Sequence, residues 1–153
     1  MNNIKVTTLS IVVFFLLLSS CDKASTTQQE ETSNGLVART DELVYNLNDG
    51  YVQVQFTIET TSDSTAWFFH CGERFITILN RLENDKWKDY NGWGWPCLDI
   101  YSQGIKPLTP DSIFTDFIQL TQAGNYRLSF LLNWDNNIYT WSDTLYSNEF
   151  SVQ

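Results

Sequence analysis

Apolar and polar residues alternate with a period of two along most of the chain from Leu36 onward, and no long stretch keeps a helical period. In the segment 52–58 every even position is apolar and every odd position is polar. A strand with this pattern turns one face to a core and the other to solvent. The pattern therefore predicts an all-β chain.

Polar turns separate the alternating runs and divide the chain into short strands. The segment 106–110 carries Pro107 and Pro110, which disfavours a strand because proline cannot donate to a ladder. About seven short strands joined by polar turns favour a two-sheet sandwich. We predict strands near 43–45, 51–58, 66–71, 75–79, 113–120, 126–132 and 144–152.

Two of these stretches resemble a known family. The segment LTQAGNYRLSF, from Leu120 to Phe130, resembles the Gly-x-Tyr-Arg-hydrophobic segment of immunoglobulin-like domains in bacterial surface lipoproteins. The stretch from Phe75 to Trp87 is similar to their hairpin ending in a strand, a polar turn and a tryptophan. The resemblance implies an immunoglobulin-like sandwich of about seven to nine antiparallel strands, with Tyr126 as a tyrosine corner. Antibody domains have a cysteine two residues after this tyrosine, which forms their inter-sheet disulfide. Leu128 occupies that position here, so a bond between Cys71 and Cys97 would connect other parts of the domain.

The first 20 residues have the composition of a signal peptide. A polar start with Lys5 precedes an apolar stretch from Val6 to Leu18, and small residues follow. A membrane-spanning helix needs about 20 mainly apolar residues, and this stretch is shorter and interrupted by polar ones. We therefore expect residues 1–20 to be removed from the mature protein.

The end of this segment, Leu18-Ser19-Ser20-Cys21, resembles the lipobox of bacterial lipoproteins. The resemblance implies a diacylglyceryl group on the Cys21 sulfur, cleavage before Cys21 and acylation of the new amine with a fatty acid such as palmitate. Two or three acyl chains hold a protein stably on a bilayer. The expected location is the bacterial cell envelope; Asp22 favours the inner membrane only in the enterobacterial version of the family, so the membrane and leaflet stay open.

Behind Cys21, the segment 22–34 is rich in Ser, Thr, Gln and Glu and has no large apolar residue. Such a composition cannot offset its ordering entropy by burial, so residues 21–35 are predicted to be the lipidated cysteine and a flexible tether. Extended, the tether reaches about 40 Å. Removal of 20 residues leaves 133, which suits one domain over residues 36–153.

The mature chain has eight basic and 18 acidic residues, a net charge of −10. Proteins that bind nucleic acid neutralise phosphates with clustered Lys and Arg, and the chain has no basic stripe. Nucleic acid is therefore excluded as a partner, and the acidic balance indicates a well-solvated surface.

Cys71 and Cys97 are the remaining cysteines, and an exported compartment favours their oxidation. We predict a disulfide between them, closing a loop of 27 residues counted with both ends, which in the chain-entropy model stabilises the fold by about 3 to 4 kcal/mol. The alternative is two buried free thiols. A zinc site is less favoured because structural zinc wants four Cys or His ligands and His70 is the one further candidate.

Catalytic chemistry has little support in the sequence. Hydrolase motifs are missing, and His70, the single histidine, would have to serve any triad alone. Acidic pairs can be drawn from Asp85, Asp89 and Asp99, but their order in sequence does not set the spacing that glycoside hydrolysis needs. The segment 135–137 could offer oxygens to calcium but is more simply a turn. We expect no enzyme activity, no cofactor and no metal.

The strongest candidate for binding is an aromatic cluster interleaved with glycines. Its members are Trp87, Tyr90, Trp93 and Trp95. Rings in such a loop can stack on a protein partner or a sugar, or they can fold over the open end of the sandwich as structural cover. Three residues form a second aromatic group with the same ambiguity: Trp134, Tyr139 and Trp141.

Two functions follow as hypotheses. The first is a membrane-anchored, non-catalytic envelope lipoprotein whose domain serves as a protein-interaction or accessory module. The second is a carbohydrate-binding module that uses loop tryptophans. The expected partners are the lipid bilayer, through acylated Cys21, and an envelope protein or glycan.

Overall fold

A computed structural model describes residues 34–90, 103–137, 139 and 142–153. The signal segment, Cys21 and the tether up to residue 33 lie outside these ranges, and so do Trp93, Trp95, Cys97, Asp99 and Trp141. The described residues form twelve β-strands and no helix, so none of them belongs to a helix able to cross a bilayer. The all-β prediction is confirmed.

The strands run β1 Leu36–Thr40, β2 Val44–Tyr45, β3 Val52–Thr60, β4 Ala66–Cys71, β5 Arg74–Phe75, β6 Thr77–Glu83, β7 Lys86–Asp89, β8 Gln103–Leu108, β9 Ile113–Leu120, β10 Gly124–Asn133, β11 Asp143–Tyr146 and β12 Phe150–Val152. They form two sheets. The smaller has the order β1-β3-β9, and the larger has the order β2-β12-β10-β4-β5, with β6 and β11 on β10, β7 on β6 and β8 on β4.

Twelve described strands exceed the seven to nine predicted, for local reasons. The expected strand over 144–152 is divided into β11 and β12, and the expected strand over 75–79 is divided into β5 and β6 at Ile76. The strands β1, β7 and β8 each pair with one neighbour at the margin of a sheet. Marginal strands need less apolar alternation, so the pattern underestimates their number.

The core lies between the two sheets. The even residues of β3 face it, as predicted, because Val54 pairs with Ile118 and both are buried. Ring contacts cross the interface: the Phe56 and Phe130 centroids are 5.2 Å apart, and Phe75 stacks on Phe114 at 3.9 Å. Each fully buried ring of this kind contributes about 1.5 to 3 kcal/mol of hydrophobic stabilisation.

One strand contradicts the sequence expectation. The prolines were expected to disfavour strand structure over 106–110, yet β8 runs through Pro107. It pairs with β4 alone, where Pro107 lies opposite Trp67, so β8 is a marginal strand. Marginal strands tolerate a missing backbone donor, whereas central strands do not.

The two-residue strand β2 forms one edge of the larger sheet. It pairs in parallel with β12, with Val44 opposite Ser151. The amide of Ser151 donates to the carbonyl of Leu43 at 2.8 Å, and the amide of Gln153 donates to the carbonyl of Tyr45 at 2.9 Å. The second strand and the last described strand are thereby neighbours in one sheet.

Candidate functional site

The candidate site lies on the outward face of the larger sheet. Along β10 the residues Tyr126 and Leu128 are buried in the core, so the alternate residues Asn125 and Arg127 face outward. Directly opposed residues share a face, and Arg127 is opposite Asn80, which is opposite Asp89 on β7. Three strands therefore build one outward surface.

Trp87 belongs to this surface rather than to a loop. It lies in β7 opposite Leu82, which corrects its assignment to an aromatic loop running to Trp95. The polar turn over 84–85 is tight enough for the chain to pair back on β6 at once. The guanidinium carbon of Arg127 is 4.7 Å from the centroid of the Trp87 ring and 4.0 Å from that of Tyr146. The arginine is sandwiched between two aromatic rings.

Tyr90 faces the other way. Its amide donates to the carbonyl of Leu79 at 2.7 Å, and its ring packs edge-on against Tyr126 with centroids 6.1 Å apart. The guanidinium of Arg81 lies over the same ring at 5.3 Å. The structure therefore separates Trp87 and Tyr90, and Tyr90 packs against the core as structural cover.

A shallow groove of about 260 Å³ lies near Arg127 and the two rings that it contacts. Leu82, which pairs with Trp87, forms part of it, and so does Asn125, two residues before Arg127. The other lining residues are Leu43, Glu149, Phe150 and Ser151. The groove combines apolar and polar side chains. It extends from Leu82 and Asn125 to Leu43, which precedes the edge strand β2.

The edge itself exposes apolar side chains. Leu43 is 47% exposed and Val44 is 46% exposed. The backbone of residues 43, 45 and 47 bonds to residues 151 and 153. The amide and carbonyl of Val44 therefore point to the other side, where no described strand pairs with β2. Sequence analysis missed this edge because two adjacent apolar residues in a short strand carry no distinctive signal.

Tyr126 has the position expected of a tyrosine corner. Its hydroxyl donates to the carbonyl of Gln122 at 3.0 Å, and burial raises its pKa. Arg81 covers the same turn, because its Nη2 donates to the carbonyl of Ala123 at 2.9 Å. A Cβ at Gly124 would lie 2.9 Å from the Arg81 Nε and 3.2 Å from the Tyr126 ring. The Gly-x-Tyr-Arg motif therefore needs glycine for space.

His70 is held by its own turn. Its Nδ1 donates to the carbonyl of Gly72 at 2.8 Å, and its Nε2 lies 3.0 Å from where a Cβ at Gly104 would be. The neighbouring Glu73 bonds Lys106 at 3.0 Å, which holds the pKa of that carboxyl below its usual range. Within the described ranges, no three His, Cys, Asp or Glu side chains are grouped as metal ligands. Cys71 ends β4, and its pairing with Cys97 stays a prediction.

The second aromatic group is divided as well. The Trp134 indole packs against the core and its Nε1 donates to Asp143 at 3.4 Å, whereas Tyr139 is exposed. The amide of Asn137 donates to the carbonyl of Asp135 at 2.9 Å, so the segment 135–137 is a turn.

No family model matches the chain, and no curated protein matches it. Among solved structures it is similar to the ASH/PapD-like domain 7 of human CEP192, at 12% identity and a TM-score of 0.41, covering 79% of this chain and 85% of that one. It is also similar to a family 123 glycoside hydrolase from Clostridium perfringens, at 11% identity and a TM-score of 0.30, covering 78% of this chain and 27% of that one. Likeness at this level carries no information about function.

Proposed function

We propose that the protein is a membrane-anchored, non-catalytic lipoprotein of the bacterial cell envelope whose sandwich domain binds an extended segment of a partner protein. The lipobox-like end of the signal segment and the polar tether over 22–34 support the anchoring. The observation that carries the binding is the outer edge of β2, which pairs with no other described strand and where Leu43 and Val44 are exposed beside the groove.

Open strand edges are uncommon because they pair with other chains, and proteins usually cover them. Two other edges of this domain are occupied. The amide of Thr40 in β1 donates to Asn148 at 2.8 Å, and the outward carbonyl of Phe117 in β9 accepts a hydrogen bond from Arg74. The β2 edge keeps the backbone of Val44 turned outward, so an extended peptide can add to it as a further strand.

The position of the edge suits a tethered module. The β1–β3 pairing places Leu36 beside Thr60, while the β3–β9 pairing places the other end of β3 beside Leu120. The turn after Leu120 leads directly into β10, so Asn125 lies at the end of the sandwich away from the tether. A nine-residue strand separates the two ends by about 26 Å. The groove would then face away from the membrane.

A photo-crosslinking amino acid at position 44 tests the proposal in living cells. We expect a crosslinked product with a defined envelope protein that is absent when the same amino acid replaces Ile113, a matched position in β9 that is 67% exposed. In this protein, Val44→Lys should abolish co-purification of the crosslinked envelope protein, whereas Ile113→Lys should leave it unchanged. Equal crosslinking from both positions, or none from either, would contradict the proposal.

A carbohydrate-binding module is the alternative, and it needs a ring face free to stack on a sugar. Trp87 is half-buried, with the guanidinium of Arg127 on its ring. Glycan-array binding that disappears in Trp87→Ala or Trp93→Ala would favour this alternative over a protein partner.

A further inference from the structure

We propose that Arg127 is a recognition site for a carboxylate next to the groove. The guanidinium stands between two rings, 4.7 Å from the Trp87 centroid and 4.0 Å from the Tyr146 centroid. Contact with two rings restricts how the guanidinium can move. The N–H groups left for bonding lie in the guanidinium plane, which is the geometry that a carboxylate matches with two parallel hydrogen bonds.

The hydrogen-bonding state of Arg127 distinguishes it from the arginines around it. Arg74 bonds the carboxylate of Asp116 at 2.7 Å, and Arg81 bonds two oxygens of the turn over 122–123. By contrast, the Nε of Arg127 is buried and has no acceptor within the described structure. Because this nitrogen is enclosed, a ligand would bond the terminal Nη groups of the guanidinium instead.

The nearest carboxylate along the same row of the sheet is engaged elsewhere. Asn80 lies opposite Arg127 and separates it from Asp89 on the next strand. The Asn80 amide donates to Asp89 Oδ1 at 2.9 Å, which holds that carboxylate on the far side. In a chain with 18 acidic residues, this arrangement keeps one guanidinium clear of internal acceptors.

The surroundings indicate what else the ligand carries. Asn125 faces outward two residues before Arg127, and Leu82 lies opposite Trp87; both line the groove. A ligand with its carboxylate at Arg127 would extend over these apolar and amide groups toward Leu43. This describes a peptide that presents either its terminal carboxylate or an acidic side chain next to an apolar one. The peptide would belong to the bound partner, so the inference rests on the proposed function for the ligand's source.

Sodium acetate tests the carboxylate site without any partner. In the full-length protein with nitrogen-15-labelled arginine, the Nε–Hε resonance of Arg127, assigned by its loss in Arg127→Lys, should move saturably as acetate is added. Sodium chloride at equal ionic strength should not move it, and the resonance of Arg39 on the smaller sheet should stay in place in both salts. An unmoved Arg127 resonance, or equal shifts in chloride, would overturn the inference.

Three synthetic peptides then separate the two sources. The first is acetyl-Ala-Val-Ala-Val with a free carboxylate, the second is its amide, and the third is the amide of acetyl-Ala-Val-Glu-Val. The peptide with the matching carboxylate should bind about ten- to a hundredfold more tightly than the uncharged amide, and Arg127→Lys should remove that advantage while Arg39→Lys retains it. Equal binding of all three would overturn the inference, whereas the proposed function would fall only with the crosslinking at position 44.

Discussion

Tyr126 combines a buried ring with a polar hydroxyl that must find a partner inside the fold. The ring is fully buried and stacks on Phe150 with centroids 5.9 Å apart. The carbonyl of Gln122 accepts the hydroxyl proton, and Gly124 leaves room for the ring to reach it. A side chain at the centre of a sheet is thereby joined to the turn that precedes its strand.

Replacing Tyr126 with Phe keeps the ring and removes this one hydrogen bond. The carbonyl of Gln122 loses its partner near the surface, so we expect the free energy of unfolding to fall by about 0.5 to 1.5 kcal/mol. Urea denaturation followed by tryptophan fluorescence measures the change. An unchanged midpoint would show that the bond contributes nothing, and Tyr51→Phe, at an exposed tyrosine, is the matched control.

Stability should also depend on pH in the alkaline range. Burial raises the pKa of both Tyr126 and Tyr45 in the folded protein, while a tyrosine in the unfolded chain titrates near pH 10. Above that pH the unfolded state loses protons that the folded state keeps, so the free energy of unfolding falls as pH rises. Urea midpoints from pH 8 to 11 should fall above about pH 10, and Tyr126→Phe should reduce the slope. A flat profile would argue against buried neutral tyrosines.

At the scale of strands, β9 has a protected edge. Its even residues bond to β3, so the backbone groups of Phe117 point outward. The Asp116 carboxylate accepts the Phe117 amide at 2.8 Å, and Arg74 donates to the Phe117 carbonyl. Arg74 and Asp116 also bond each other at 2.7 Å. The middle of the edge is closed by side chains, which discourages pairing with another chain.

Arg74→Ala should open this edge. The Asp116 side chain, 13% exposed, loses its charged partner, so we expect a loss of about 1 to 3 kcal/mol in unfolding free energy and a concentration-dependent dimer in sedimentation velocity. Arg39→Ala is the control, since its 3.7 Å pair with Glu59 is exposed and should matter by less than about 1 kcal/mol. A strictly monomeric Arg74→Ala protein would show that the pair does not guard the edge.

The sequence predicted strands best where one face is fully buried. In β3 the alternation of four apolar and three polar residues over 52–58 determined both faces correctly, since a shift of one residue would expose the core. It failed for β7, where the segment 86–89 reads KWKD with a single apolar residue. Backbone pairing with β6 across the turn over 84–85 forms that strand, and such pairing does not require side chains that alternate.

A disulfide between Cys71 at the end of β4 and Cys97 in the tryptophan-rich segment is a further prediction. If the domain is exported as proposed, we expect Cys71 and Cys97 to be joined, because exported compartments are oxidising. Closing the loop of 27 residues would stabilise the fold by about 3 to 4 kcal/mol. Alkylation of the denatured, unreduced protein followed by intact mass measurement should find both sulfurs blocked. Labelling of both without reductant would show two free thiols.

For the whole molecule, the decisive expectation is covalent attachment to a bilayer. Cys21 follows a lipobox-like sequence, so a clickable fatty acid fed to cells should label the wild-type protein and spare Cys21→Ala. Cys71→Ala controls for loss of a cysteine as such. Equal labelling of Cys21→Ala would contradict lipidation there.

The two-sheet arrangement followed from counting alternating runs, but the candidate site did not. Arg127 lies 40 positions after Trp87 and 19 before Tyr146, and β10 brings the three together through two different neighbours. The polar position of Arg127 within an apolar strand indicated only an outward side chain. The pairing of each strand depends on the whole sheet. A single sequence therefore could not show that Arg127 lies between the rings of Trp87 and Tyr146.

The parallel pairing of β2 with β12 has a mechanical consequence. Once β1 has left β3, a force pulling apart the segment before β2 and the segment after β12 would slide these two strands along each other. The bonds at Leu43, Tyr45 and Leu47 would then bear the load together rather than open one by one. Strands loaded in shear resist more force than strands that are unzipped. Tension between the segment before β2 and the segment after β12 therefore meets the stronger of the two geometries.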